Sequence, residues 1–277
     1  MQHHRASFRA SGGLELFSQR WQPDGRPAAT FVLVHGVAEH SGRYEHVGRY
    51  FAGRGYDVWS YDQRGHGRSP GRRAYVERFS TFLADLETFR LQVAARQPGP
   101  QFLLGHSMGG TIALAHAIER PAAWTGLVLS GPSVDPTAGV SRALVVAGRL
   151  VARVAPAAPV VSLDDSGVSR DPEVLAAYRA DPLVHHGKLT ARLASELVDR
   201  AALFEDEVGG LTLPVLVLVG GDDKLVPPDG MRRLFDRVGS ADKRLLEYPG
   251  AAHELFNEPE KAMVLADVAD WLDAHRA

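Results

Sequence analysis

The chain has 277 residues, of which 45% are hydrophobic and 23% charged, with a formal net charge of −2. That length suits one α/β domain with a large core, and the balanced charge supplies no basic field for nucleic acid. There is no cysteine, which excludes disulfides, thiolate catalysis and cysteine–zinc sites.

The opening stretch, MQHHRASFRASGG, lacks the apolar core of a secretory signal, and His3 and His4 read as a short flexible tail. Residues 6–10 and 14–20 read as an antiparallel hairpin, followed by a turn at Pro23-Asp24-Gly25. Apolar runs then recur: TFVLVHG (30–36), DVWSYD (57–62), FLLGHS (102–107), GLVLSGP (126–132), PVLVLVGGDD (214–223) and RLLEYPG (244–250). Most are continuous rather than alternating, as strands buried on both faces require. Helical patterns lie between them at 43–53, 79–96, 108–119 and 229–238, and a last one at 259–275 opens on Pro259. This alternation predicts a mostly parallel sheet with helices on both sides, in a single domain spanning 1–277. Residues 133–210 hold no clear buried strand and read as a helical insertion, a cap or lid. Within it, 140–155 is apolar but broken by Arg142, Arg149 and Arg153, and falls short of the ~18 apolar residues of a membrane span. It reads either as a cap helix packed on the core or as an apolar face for a lipid surface. The expected location is cytoplasmic, with peripheral membrane contact left open.

Gly105-His106-Ser107-Met108-Gly109 fits G-x-S-x-G between a buried run and a helical pattern, the context that gives the motif meaning. Small neighbours let the serine occupy a sharp turn, and the helix start behind it favours negative charge. A hydroxyl needs a base, and the base needs a carboxylate to fix its tautomer. In chain order acid then histidine, the GGDD loop offers Asp222 and Asp223, and EYPGAAHELF offers His253. The oxyanion donors expected are the backbone amides of Met108 and Val37. The turn DQRGHGRS (62–69) lacks the lysine of a phosphate loop and reads as structural. His35 reads as a hydrogen-bonded structural histidine. No metal spacing is present, and no cofactor is expected.

The stretches HGVAEHSGRYEHV, YDQRGHGRSPG, LLGHSMGG, GGDD and YPGAAHELFNEPE together resemble the monoacylglycerol lipases of the α/β-hydrolase fold, and SRDPEVLAAYRADPLVHHG resembles their cap. The resemblance runs from about residue 10 to the C-terminus. It implies Ser107 as nucleophile, Asp223 as acid, chosen over Asp222 as the fourth position of G-x-x-D, and His253 as base. It also implies that Glu39 and Arg43 help line a pocket for the glycerol end. Mammalian members carry a second histidine three residues after the base; here Phe256 stands there.

The function so implied is release of fatty acid and glycerol from a monoacylglycerol through an acyl-enzyme. A lysophospholipase or broad carboxylesterase is the neighbouring alternative. A serine peptidase of the same fold, or a non-catalytic binding protein, is more distant. The segment 140–161 is expected to line an acyl tunnel, with Leu144, Val145 and Leu150 on its wall.

Overall fold

The apolar runs form the middle of one eight-stranded sheet. In this computed structural model, which describes residues 1–276, the chain opens with β1 (Gln2–Arg9), β2 (Glu15–Gln22) and β3 (Ala29–Val34). It continues through α1 (Glu45–Gly53), β4 (Tyr56–Tyr61), α2 (Phe79–Arg96), β5 (Gln101–His106), α3 (Met108–Glu119) and β6 (Gly126–Ser130). After a long excursion come β9 (Val215–Gly220), α8 (Pro228–Arg237), β10 (Lys243–Tyr248) and α9 (Lys261–His275), where the excursion itself holds β7 and β8. The sheet order is β1-β2-β4-β3-β5-β6-β9-β10. From β4 to β10 every pairing is parallel, and β2 joins β1 and β4 antiparallel. This is the α/β-hydrolase fold.

Every residue of β3, β4, β5, β6 and β9 is buried, which explains their unbroken apolar runs. Alternate side chains serve two cores. Val32, Leu103, Leu127 and Val217 meet α2 and α3 on one face. Phe31, Phe102, Leu104 and Leu216 meet α1 and α9 on the other.

Two expectations shift. His3 and His4 are not a tail: both lie in β1, opposite Trp21 and Arg20 of β2. His3 stacks on Trp21 with ring centroids 5.0 Å apart, and this contact extends the strand. The last helix begins at Lys261 rather than Pro259: the Glu258 backbone is extended (ψ 162°), and residues 259–260 form a turn, closed by the Lys261 N–H donating to Glu258 O at 3.0 Å, before the regular helix starts.

Between β6 and β9 lie α4 (Arg142–Val154), β7 (Pro159–Val161), α5 (Pro172–Ala180), β8 (Leu189–Thr190), α6 (Ala191–Ala201) and α7 (Phe204–Glu207). No strand of this segment joins the main sheet; β7 and β8 pair only with each other. Its two halves pack differently. Leu193, Leu197 and Ala201 of α6, with Phe204 of α7, join the same core as α2 and α3. In α4 only Ala152 is buried. The helix rests on α6 and leaves Leu144, Val146, Leu150 and Val154 more than 60% exposed.

Candidate active site

Ser107 alone makes the turn from β5 to α3. Its φ of 53° and ψ of −119° lie where side-chain-bearing residues are rarely held. Missing side chains let the turn close. A Cβ on Gly105 would strike the Gly109 carbonyl, and one on Gly109 the carbonyls of Val34 and His35. The Ser107 N–H donates to Ser130 O at 3.0 Å, pinning the turn to the end of β6.

Asp223 and His253 reach this turn from the loops after β9 and β10. Asp223 Oδ1 accepts the N–H groups of Leu225 (2.9 Å) and Val226 (2.8 Å). That leaves Oδ2 to take the His253 Nδ1 proton at 2.6 Å. Asp222 is exposed, and among the described residues its carboxylate has no partner. Burial alone would push the His253 pKa down; the Asp223 charge and hydrogen bond, with the charges of Glu254 and Glu39, outweigh it and hold the pKa above the ordinary histidine value. With Nδ1 donating to the carboxylate, Nε2 carries the lone pair that can accept a proton. His106, whose ring lies 4.7 Å from that of His253, is pushed down to about 3 by burial and by the His253 charge, and so stays neutral beside it.

The loop after β3 carries Gly36 and Val37, and both line the cavity with Ser107 and Met108. Ala38 sits at φ 65°. Among the described residues the Val37 and Met108 amides donate to no protein acceptor, so both are available to an incoming anion. The neighbouring Gly36 N–H is already used: it donates to Glu39 Oε1 at 2.5 Å.

Glu39 and Arg43 belong to a buried network that the sequence does not reveal. Glu39 Oε1 also accepts the Tyr44 hydroxyl at 2.7 Å, and its Oε2 accepts Arg43 Nη1 at 3.2 Å. Both terminal nitrogens of Arg43 donate to Glu254, Nη2 at 2.7 Å. The guanidinium also stacks over Tyr178 of α5, 4.7 Å from the ring centroid. Glu39 and Glu254 line the cavity, whereas Arg43 lies behind them. Burial opposes the Arg43 charge, but Glu254 and Glu39 more than restore it. Glu254 and Tyr178 carry no advance signal: an acid next to a histidine and a tyrosine in a polar helix fit no spacing rule.

The cavity measures about 420 Å³, within the range of small-ligand sites. Apolar side chains form most of its far wall, including Leu144, Val145, Val160 and Val161. Leu150, expected on that wall, is absent from it. Residues 146, 150 and 154 follow one another at helical spacing on the outer face of α4, away from Val145 and Gly148. The remaining expectations concern scaffolding. His35 donates from Nδ1 to Gly36 O at 2.7 Å and accepts the Gln63 N–H at Nε2 at 2.9 Å. Asp62 accepts from Ser41 N–H (2.8 Å) and Arg68 N–H (2.7 Å), bracing the 62–69 turn. Phe256 is buried in the core beside α1 and α9.

A strained serine at a helix start, a histidine in the same cavity backed by a buried carboxylate, and two amides with no protein acceptor define a serine hydrolase of the α/β-hydrolase class. The family model described as "Serine aminopeptidase, S33" matches residues 25–260. The monoacylglycerol lipase of Mycolicibacterium smegmatis is 45% identical over 97% of this chain and 96% of its own length. The crystal structure of Paleococcus ferrophilus monoacylglycerol lipase superposes with a TM-score of 0.84 at 30% identity, covering 99% of this chain and 100% of that one. A soluble variant of Saccharomyces cerevisiae monoglyceride lipase, in complex with a substrate analogue, gives 0.86 at 27% identity, covering 98% and 94%. The chain belongs to this hydrolase family and stands within it among the monoacylglycerol lipases, as a carboxylic-ester hydrolase.

Proposed function

We propose that the protein hydrolyses monoacylglycerols, with Ser107, His253 and Asp223 as the triad. His253 Nε2 takes the Ser107 hydroxyl proton, and the alkoxide attacks the ester carbonyl. The Val37 and Met108 amides hold the resulting oxyanion. His253 then passes its proton to the departing glycerol oxygen, leaving an acyl-serine. Water, deprotonated by the same histidine, releases the fatty acid. The observation that carries this reading is the 2.6 Å His253–Asp223 bond opening into the apolar cavity that holds Ser107.

Residues 133–210 serve in this reading as the cap. Leu144, Val145, Val160 and Val161 would shield a long acyl chain, at about 0.8 kcal/mol per buried CH₂. The outer face of α4, with Val146, Leu150 and Val154 exposed and Arg142, Arg149 and Arg153 on the same helix, suits contact with a lipid surface. No helix among the described residues is long and apolar enough to cross a membrane; the contact proposed is a peripheral one, for a cytoplasmic protein. An aminopeptidase needs an unpaired anion for the substrate's ammonium group. Three carboxylates line the cavity: Glu39 and Glu254 are paired to Arg43 and Asp165 to Arg179, which favours the ester.

The test combines labelling and substrates. A fluorophosphonate should modify Ser107 stoichiometrically, and a matched panel of mono-, di- and triacylglycerol, lysophospholipid and an aminoacyl amide should show monoacylglycerol turned over fastest. Labelling at another residue overturns the mechanism; preference for lysophospholipid or amide overturns the substrate.

A further inference from the structure

Glu258 is one of the most deeply buried carboxylates in the molecule, with no measurable exposure, and the triad does not use it. Its Oε1 accepts the Ser169 hydroxyl and the Arg170 N–H, both at 2.7 Å. Its Oε2 accepts Arg170 Nε at 2.6 Å and the Ala252 N–H at 2.9 Å. Ala252 immediately precedes His253. Ser169 and Arg170 lie where the 133–210 segment returns across the site. One side chain thus joins two stretches more than 80 residues apart in sequence.

The backbone repeats the junction on either side. His253 N–H points to Gly167 O at 3.4 Å, and Glu254 N–H donates to Val168 O at 2.9 Å. We propose that Glu258 is a positioning residue for His253, fixing the peptide before the histidine to the return of the cap, so that the seat of the cap and the aim of the base are one structure. This rests on His253 being the base. Asp223 holds the ring from the β9 side; Glu258 and the 167–168 carbonyls hold the backbone from the cap side. Removing either side leaves the imidazole free to swing.

The choice of a carboxylate follows from its partners. All four are donors, and only an ionised carboxylate offers two acceptor oxygens with room for two donors each. Burial works against its charge, but the bonds from Ser169, Ala252 and Arg170 overcome this and hold its pKa below the usual value. A buried ion pair with half-exposed Arg170 is weak evidence of stabilisation, since apolar packing serves stability at least as well. What the carboxylate adds is a fixed position for the Ala252 amide.

Glu258→Gln keeps the shape and turns one oxygen into an NH₂ group that faces two donors. On a short-chain nitrophenyl ester and on monoacylglycerol, kcat should fall by about 10-fold or more with KM within about 2-fold of wild type, as misaligned proton transfer requires. Fluorophosphonate labelling of Ser107 should slow in parallel. The downfield proton resonance of the His253–Asp223 hydrogen bond should shift or broaden. A folded Glu258→Gln protein with a lower Tm but wild-type kcat and an unmoved resonance would overturn the proposal, since that is what structural support alone produces. If this variant does not fold, Ser169→Ala and Arg170→Ala each remove one side-chain donor. The folded double variant should lose kcat several-fold at unchanged KM, and wild-type kcat there overturns the proposal equally. Absence of Ser107 labelling in the wild-type protein would instead remove the triad reading itself.

Discussion

Replacing Asp223 with asparagine tests the candidate triad at its most specific joint. The Leu225 and Val226 amides both point at Oδ1, so the asparagine oxygen must stay there. The NH₂ group then falls at the Oδ2 position, 2.6 Å from His253 Nδ1, where it can only donate. His253 must answer by accepting at Nδ1, which moves its proton to Nε2, the atom that should receive the serine proton. The loss is one of tautomer, with side-chain shape preserved. About 10⁴-fold in kcat is expected, or about 5.4 kcal/mol of transition-state stabilisation. Steady-state hydrolysis of monoacylglycerol and of a nitrophenyl ester should show the same loss, because the step concerns no part of the substrate. Asp222→Asn, one residue away but exposed, should stay within about threefold of wild type. A small loss in Asp223→Asn, or a larger one in Asp222→Asn, would refute the assignment of the acid.

The rate should also fall on the acid side with a midpoint above the ordinary histidine pKa. Only neutral His253 accepts a proton, and its surroundings raise its pKa. Glu254→Gln removes one of the charges that raises it, so the midpoint of the kcat/KM profile should move to lower pH; an unmoved midpoint would show that Glu254 does not act on the base. Val145→Phe places bulk on the cavity wall and should lower kcat/KM for long-chain monoacylglycerol while sparing a nitrophenyl acetate, as read from a chain-length series. Changing Val146, Leu150 and Val154 together to serine should weaken sedimentation with anionic vesicles by about tenfold or more, leave short-ester turnover intact, and change Tm little, because all three are exposed. Gly109→Ala drives a Cβ onto the carbonyls of Val34 and His35; thermal denaturation should register a loss of about 1–3 kcal/mol, with activity falling alongside.

The strands of the sheet were legible because burial on both faces leaves a continuous apolar run, as in Phe31 to Val34 or Val215 to Val219. The serine turn was legible because its glycines are sterically required. The candidate acid, Asp222 or Asp223, and the candidate base His253 could be proposed from their order relative to those strands, and the choice of Asp223 came from the family resemblance. Interactions between distant segments left no such trace. Glu258 is one acid in an unremarkable NEPE run, and its role exists only once Ser169, Arg170 and Ala252 converge on it. Arg43 was expected at the pocket for the same reason: its motif placed it nearby, but only packing shows that Glu39 and Glu254 stand in front of it. The outward turn of Leu150 depends on the rotation of α4, and an apolar helix with two receptive faces does not reveal which one points inward. His3 and His4 read as a flexible tail because nothing in a short polar stretch announces that Trp21 awaits His3 across the hairpin.

The left-handed backbone at Ser107 has a consequence for how this protein responds to selection under heat. That conformation costs about 1–3 kcal/mol for a residue with a side chain and almost nothing for glycine. The serine forms no side-chain cap on α3, so its removal forfeits no helix-end bond. Glycine makes the unfolded chain looser, but by only about 0.4–1 kcal/mol, less than the strain released. Ser107→Gly should therefore melt at a higher temperature than the working enzyme. Libraries sorted on heat tolerance alone would enrich chains that have discarded the proposed nucleophile, and a search for a hardier catalyst has to measure turnover in every round.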